Sequence, residues 1–175
     1  MIKRLNLFKA ETHLNRDELD GFRKILFQIH LLMLVLVIFY FLLRDRNVLE
    51  TPAVLLTLVG FLLLIFSIHF LLARFRYNDR TIFIENAVLV AFITLMLRYS
   101  SEGIYSPLIF LYSLVIIISA MTLNERITIL KTLLISVCCV YISPIDFSVK
   151  ALTYTVIVLF HFWLLAYLSI RLTIY

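Results

Sequence analysis

The sequence from residue 25 to residue 43 is ILFQIHLLMLVLVIFYFLL, and that from residue 52 to residue 73 is PAVLLTLVGFLLLIFSIHFLLA. Neither stretch contains Asp, Glu, Lys or Arg, and each is long enough for an α-helix to cross the ~30 Å hydrocarbon core of a bilayer. Because a helix satisfies its own backbone hydrogen bonds in lipid, apolar runs of this length predict membrane-spanning helices. These two stretches therefore indicate the fold class.

Four further apolar segments follow along the chain. They cover residues 82–97, 107–123, 127–142 and 149–172. The last is longer than either of the first two, whereas the other three lie near the lower limit of ~17 residues for a crossing. The sequence predicts an all-α, polytopic membrane protein with six transmembrane helices, and residues 25–175 are predicted to form the bundle.

The composition supports the same prediction. Of the 175 residues, 63% are hydrophobic and 15% are charged, and the mean hydropathy is +1.03. Soluble domains are nearer to half apolar and a quarter charged, so a water-soluble globular domain is excluded. The net charge of +5 comes from basic residues between the apolar segments, where membrane topology places them. No nucleic-acid partner is therefore expected.

The distribution of Lys and Arg predicts the orientation. If the six segments cross alternately, twelve of the 16 basic residues, with Lys131 counted among them, lie on the side of the termini. The four on the other side are Arg44, Arg46, Arg98 and Lys150. Basic residues accumulate in cytoplasmic loops, so both termini are predicted to be cytoplasmic, in a multi-pass protein of the bacterial inner (cytoplasmic) membrane.

Residues 1–24 are predicted to form a cytoplasmic amphipathic helix, which lies on the membrane surface or against a partner. Their charges are mixed, and a solvated charged tail is the alternative. Arg171, near the C-terminus, is a second candidate contact for a cytoplasmic partner. Four apolar residues of the segment are spaced for one helical face: Phe8, Leu14, Leu19 and Phe22.

A few polar side chains interrupt the apolar segments. His30, His69, Glu85 and Asn86 fall near the cytoplasmic ends of their predicted helices. Ionisable groups are costly in a bilayer, so this set is a candidate polar site that could bind a metal, relay a proton or respond to pH. The competing interpretation is that the helix dipole stabilises Glu85 and that the histidines reach the headgroups. No ligand spacing typical of a metal site is present, and no metal or cofactor is predicted.

The connection between the third and fourth segments has the chemistry of a tight helix–helix turn. It is YSSEGIYSP and ends at Pro107, which suits the first turn of the next helix. Gly103 permits a positive φ angle, and Ser106 is predicted to cap the next helix. Arg98 and Glu102 are predicted to pair across this outer turn.

From residue 84 to residue 142 the sequence resembles the N-terminal membrane module of bacterial sensor histidine kinases of the type IV pilus and nitrogen-regulator-like kind. In that family the third helix ends in a Gly-Gly-Ile-x-Ser-Pro-like loop, and a helix rich in Phe, Leu and Tyr follows. Here Glu102 stands at the first glycine, and Val90 stands near the place of a family aspartate. The resemblance implies a six-helix input module with cytoplasmic termini.

No catalytic activity is expected. The sequence contains no Gly-rich phosphate loop, GxSxG or HExxH motif. It also contains no phospho-accepting histidine helix and no ATP-binding domain, so the chain is not expected to be a kinase by itself.

Three functions agree with these observations. The preferred one is a non-catalytic, sensor-like module that transmits a signal or docks through protein–protein contacts, with other membrane proteins or a second copy as partners in the bilayer. The alternative is a structural subunit of a multi-protein inner-membrane complex. A small-molecule-binding transport component ranks last, because residues 25–43 contain no alanine, whereas vitamin-uptake subunits carry an Ala-rich contact motif on their first helix.

Overall fold

The computed structural model describes residues 16–44, 51–71, 79–122, 125–143 and 149–174. Every regular element in these ranges is helical, which confirms the all-α prediction for them. Two 3₁₀ turns, Gly103–Tyr105 and Pro107–Phe110, connect the third α-helix to the fourth. The six α-helices of the described ranges are α1 (Arg16–Arg44), α2 (Pro52–Leu71), α3 (Asp79–Tyr99), α4 (Leu111–Thr122), α5 (Glu125–Ile142) and α6 (Val149–Ile174).

Three stretches have the length and composition of membrane-spanning helices. They are Lys24–Arg44 in α1, Pro52–Phe70 in α2 and Val149–Thr173 in α6. Only 28% to 33% of their most apolar part is buried within the bundle, so most of their apolar side chains face outward. Apolar faces of this extent are typical of surfaces covered by lipid or by other membrane helices.

The other three helices coincide with predicted segments but are shorter or more polar. α4 has 12 residues and rises about 18 Å, although its apolar stretch extends back to Pro107 through the second 3₁₀ turn. α5 has 18 residues and carries Glu125, Arg126 and Lys131. α3 has 21 residues, with Glu85 in its second turn. The length and composition of the described helices therefore support three crossings, and the other three stay a prediction.

Each of the long helices α1 and α6 buries one stripe with a spacing of three or four residues, as an amphipathic helix does. On α1 the stripe is Leu26, His30, Met33, Val37 and Phe41. On α6 it is Ala151, Thr155, Val158, Phe162, Ala166 and Ile170. The opposite faces are apolar as well, since Leu43 and Leu172 are among the most exposed side chains.

The helices alternate in direction along the chain, as in an up-and-down bundle. At one end, here named the turn end, the last turns of α1, α3 and α5 meet. Arg44 pairs with Glu102 there, and a Cβ atom on Gly103 would lie 3.6 Å from the carbonyl oxygen of Ile142. At the opposite end, the terminal end, α1 begins and α6 ends.

The six helices form two groups. α1 packs chiefly against α2, while α4, α5 and α6 pack against one another, and α3 contacts both groups. Phe61 of α2 stacks on Phe92 of α3 with ring centroids 3.8 Å apart. Tyr112 of α4 meets Phe162 of α6 edge to face. The α1–α2 pair is therefore attached to the rest of the bundle mainly through α3.

α1 runs across the predicted boundary between residues 24 and 25. It begins at Arg16 and continues to Arg44 as one helix of 29 residues, so residues 16–24 are its first turns rather than a separate helix. Phe8 and Leu14, two of the predicted partner contacts, lie outside the described residues. The backbone of α1 includes Leu19 and Phe22, whose side chains are outside the described part.

Candidate functional site

Three ionisable side chains lie buried in the terminal half of the bundle, and they are named here the inner polar cluster. They are His30 of α1, Glu85 of α3 and Lys131 of α5, with exposed fractions of 2%, 8% and 1%. Asn86, next to Glu85 in α3, is fully buried. His30, Glu85 and Asn86 belong to the predicted polar site, whereas Lys131 does not.

The imidazole of His30 is held in one tautomer by its own helix. Nδ1–H donates a hydrogen bond to the carbonyl oxygen of Leu26 over 2.6 Å, so in the neutral ring Nε2 carries the lone pair. Nε2 is buried and has no hydrogen-bond partner among the described residues. The backbone of Glu85 lies close to the ring. A basic nitrogen is therefore presented to the interior of the bundle.

Lys131 corrects one part of the predicted charge distribution. It lies in the second turn of α5 and is fully buried rather than placed in a loop. Without it, the basic residues assigned to the side of the termini fall from twelve to eleven, still against four. The bias toward that side therefore persists.

The ammonium group of Lys131 links α5 to α3 electrostatically. Nζ lies 5.3 Å from the ring centroid of Phe83, and the carboxylate of Glu85 attracts its charge. No hydrogen-bond acceptor for Nζ occurs among the described residues. The aromatic face and the carboxylate offset part of the cost of removing an ammonium ion from water.

A small cavity lies beside His30 and Glu85. Its volume is about 10 Å³, which is room for about one water molecule. His69 of α2 also lines it and stacks on the ring of Phe27, with centroids 4.2 Å apart. The structure therefore places the three predicted ionisable residues around one cavity. In the described part of the chain, no three His, Cys, Asp or Glu side chains are arranged to hold a metal ion.

A second set of polar side chains, the outer network, joins α1 to the α3–α4 connection at the turn end. The hydroxyl of Tyr40 accepts a hydrogen bond from Ser106 Oγ over 3.0 Å and donates one to Glu102 Oε2 over 3.3 Å. It also lies 3.4 Å from Ser100 Oγ. One turn further along α1, Arg44 forms an ion pair with Glu102. Two side chains of α1 thus hold three residues of the connection.

The local predictions for the outer turn are confirmed. Gly103 has a φ angle of +53°, a conformation that L side chains rarely adopt. The Ser106 hydroxyl accepts a hydrogen bond from the backbone N–H of Leu108 over 3.3 Å, with Pro107 in the first helical position. The glycine, serine and proline each affect only the backbone of the few residues around them, so that their effects could be predicted from the local sequence.

The predicted pairing of Arg98 with Glu102 is wrong. Glu102 pairs instead with Arg44, and the Arg98 guanidinium lies over the ring of Tyr141 in α5, 5.7 Å from its centroid. The reason is the tertiary packing, which brings the last turn of α1 to Glu102 and gives Arg98 an aromatic neighbour on α5.

An open cleft of about 500 Å³ lies at the turn end. Four of the predicted outer-turn residues, Arg98, Glu102, Gly103 and Pro107, line it, and Arg44 lines it as well. Ser106 is fully buried and points to Tyr40 instead. The cleft is thus bordered by the Arg44–Glu102 ion pair and by the guanidinium of Arg98, which lies over Tyr141.

Arg171 is exposed in the last turn of α6 at the terminal end. Its guanidinium lies 5.5 Å from the ring centroid of Tyr167. With Trp163, Glu125 and other residues it lines a groove of about 280 Å³ between α5 and α6. This candidate partner contact is therefore available on the surface of the described structure.

The sequence does not predict the roles of three residues in these sites. Its patterns place Tyr40 in an apolar segment, Arg44 in a loop and Lys131 on the cytoplasmic side. Lys131 carried the clearest signal, because it is a lone charge six residues inside the helix that begins at Glu125 and charges within apolar helices are rare.

No protein-family model matches the chain, and no curated protein or solved structure matches it.

Proposed function

We propose that the chain is a non-catalytic, sensor-like input module of the bacterial inner membrane, which crosses the bilayer six times and acts through contacts with other membrane proteins. The observation that supports this most is the outer network. In it, Tyr40 and Arg44 of α1 bind Glu102 and Ser106 of the α3–α4 connection, beside an open cleft. This network is the part of the described chain best suited to receive a signal.

The mechanism follows from competition for Glu102. A protein or envelope component that binds in the cleft replaces Arg44 or Tyr40 as the partner of this carboxylate, and α1 loses its attachment to the α3–α4 connection. Because α1 packs chiefly against α2, it shifts without separating α4, α5 and α6. In one arrangement α1 is attached to the α3–α4 connection, and in the other it is detached. The signal shifts the equilibrium between them only by the difference between its affinities for the two.

Two observations support six crossings with both termini in the cytoplasm. The helices alternate in direction, and Arg44, Arg98 and Lys150 lie in or next to the turn end while eleven basic residues are assigned to the other side. Cytoplasmic loops carry the excess of Lys and Arg, which makes the turn end the outer one.

Labelling of single cysteines tests this topology. Cys138 and Cys139 are first replaced by Ser, and Ser101→Cys or Glu125→Cys is then added, since both positions are exposed. A membrane-impermeant maleimide is expected to label Ser101→Cys in intact spheroplasts and Glu125→Cys only in inverted vesicles. The opposite pattern, or labelling of both from one side, contradicts the proposed topology.

Gentle detergent extraction, followed by cross-linking and mass analysis, tests the function. We expect a membrane protein at fixed ratio, cross-linked to residues 1–24 or near Arg171, and a changed cross-link yield in Glu102→Gln. Tyr141→Phe, at the same end but outside the outer network, is the control for the change of a surface polar group. Partners at fixed ratio that do not respond to Glu102→Gln would instead indicate the structural subunit. A chain that purifies alone contradicts the scaffold alternative and removes the expected support for the input module.

A further inference from the structure

We propose that the groove between α5 and α6 at the terminal end binds one phosphatidylethanolamine molecule, a phospholipid whose headgroup carries both a phosphate and a primary ammonium group. Arg171 binds the phosphate, Glu125 binds the ammonium, and one acyl chain lies along the apolar part of the groove. This inference concerns the lipid beside α5 and α6, and it does not depend on whether the chain is an input module or a scaffold.

The α6 side of the groove is one helical face. Trp163, Tyr167 and Arg171 follow one another at intervals of four residues, so their side chains lie one above the other. The Arg171 guanidinium lies 5.5 Å from the ring centroid of Tyr167, which favours a position of the charge on this face. Ala166 and Ile170, two buried residues of the same helix, line the groove as well. A cation thus lies at the end of an aromatic and apolar surface.

The α5 side brings a carboxylate to the same groove. α5 begins at Glu125, and Ile129 lies one turn further in; both line the groove. Because α5 and α6 pack against each other in opposite directions, the start of α5 lies beside the end of α6. Glu125 and Arg171 are both exposed, and neither forms an ion pair within the described part of the chain. A negative and a positive group are therefore both available to a ligand.

The groove changes from charged to apolar with depth in the membrane. Arg171 lies two residues before the end of the apolar stretch Val149–Thr173, where a spanning helix reaches the headgroups. Trp163 lies eight residues further in, which is about 12 Å along the helix axis. Tyr and Trp side chains are enriched between these two levels, at the membrane–water interface. The charged end therefore matches a headgroup, and the apolar end matches an acyl chain.

The two opposite charges select the headgroup. Guanidinium groups bind phosphate oxygens, and a primary ammonium group donates up to three hydrogen bonds, here to a carboxylate. The ammonium of phosphatidylcholine is fully methylated and has no N–H to donate, and phosphatidylglycerol has no cation for Glu125. The volume of the groove, about 280 Å³, is close to the lower limit of ~300 Å³ for small-molecule sites. It suits a headgroup with the adjoining part of one chain.

The single tryptophan of the chain supplies a direct readout, because Trp163 lines the groove. The detergent-solubilised full chain is titrated with phosphatidylethanolamine, phosphatidylcholine or phosphatidylglycerol carrying identical brominated acyl chains, since bromine quenches the fluorescence of a nearby indole. We expect half-maximal quenching at a mole fraction of phosphatidylethanolamine about two- to fivefold lower than for the other two lipids, which is the range that one exposed charge contact supplies.

Two variants separate the two contacts. Arg171→Gln removes the phosphate ligand and should raise the half-quenching mole fraction of phosphatidylethanolamine by about two- to fivefold. Glu125→Gln removes the ammonium ligand, so the preference over phosphatidylcholine should disappear and the anionic phosphatidylglycerol should become the strongest quencher. Lys150→Gln is the matched control, because it removes an exposed positive charge at the opposite end of α6, and it should leave the curve unchanged.

Several outcomes would overturn the proposal. Equal curves for the three lipids in the unmodified chain would mean that the groove holds only bulk membrane lipid. Stronger quenching by phosphatidylglycerol than by phosphatidylethanolamine in that chain would exclude the role of Glu125, and equal shifts in Lys150→Gln and Arg171→Gln would exclude the role of Arg171. An absence of quenching by every lipid, together with a dimeric mass, would assign the groove to a second copy of the chain.

Discussion

At the turn end, the hydroxyl of Tyr40 lies 3.0 to 3.4 Å from Ser106, Glu102 and Ser100, whereas in the inner polar cluster His30 Nε2 and Lys131 Nζ have no hydrogen-bond partner among the described residues. Both regions lie between α1 and other helices, and each contains a carboxylate, Glu102 or Glu85. The outer network consists of paired groups near the surface, whereas the ionisable groups of the inner polar cluster are buried.

The difference shows how the same residue types serve different purposes at different depths. Glu102 is partly exposed and its ion pair with Arg44 is screened by solvent, so the pair positions the chain at little electrostatic cost. Glu85 and Lys131 are buried, where an unbalanced charge is expensive. The outer network can exchange partners easily, while the inner polar cluster responds strongly to any change of charge.

The largest expected effect is the loss of Lys131. Lys131→Met removes the buried positive charge that attracts the carboxylate of Glu85 and is expected to lower the free energy of unfolding by about 3–5 kcal/mol. Reversible unfolding in mixed detergent measures it. The double variant Lys131→Met/Glu85→Gln should recover most of the lost stability. A double variant as unstable as Lys131→Met would show that the charge of Glu85 is not the cause of the loss.

A smaller loss is expected for Tyr40→Phe, which removes the central hydroxyl of the outer network. Ser106 and Glu102 each lose a partner, so the expected cost is about 1–2 kcal/mol in the same unfolding measurement. Tyr141→Phe is the matched control, because it keeps the ring that faces Arg98 and should change stability by only a few tenths of a kcal/mol. Equal effects of the two variants would show that the network does not hold α1.

The conformation of the turn is tested by two glycine variants of opposite expected sign. Gly103→Ala forces a side chain into a positive φ angle and should cost about 1 kcal/mol. Gly60→Ala lies in α2, where a Cβ atom meets nothing within 4 Å, and should stabilise the helix by about 0.5–1 kcal/mol. Thermal unfolding of both variants checks the signs, and stabilisation by Gly103→Ala would contradict the turn geometry.

The smallest effect is expected for Glu102→Gln. The pair with Arg44 is solvent-exposed, so the variant should cost about 0.5–1 kcal/mol at low salt. The difference should nearly vanish in about 1 M salt, where charges are screened over ~3 Å. A cost that is independent of salt would mean that the hydrogen bond from Tyr40, rather than the ion pair, holds this carboxylate.

The features that could be predicted from the sequence are those that depend on nearby residues. The six apolar segments coincide with six helices because the hydrophobicity of a segment depends only on its own residues. Gly103, Ser106 and Pro107 behave as predicted because a positive φ angle, an N-cap and a first helical turn each involve only a few neighbouring residues.

The features that could not be predicted depend on the packing of distant helices. Arg44 and Glu102 are 58 positions apart, and no local pattern distinguishes Arg44 from Arg98 as the partner. Lys131 was assigned to the cytoplasmic side because a charge near the start of an apolar segment ordinarily marks a loop. Its burial depends on α3, which places Phe83 and Glu85 against α5.

The continuity of α1 gives the two regions a common mechanical element. His30 and Tyr40 are ten residues apart on one unbroken helix, a separation of about 15 Å along the axis. Since each turn of the helix is hydrogen-bonded to the next, α1 resists twisting, and a rotation at one end is transmitted to the other. A rotation of residues 16–24 about the helix axis therefore moves His30 and Tyr40 together, so that α1 couples the two polar regions.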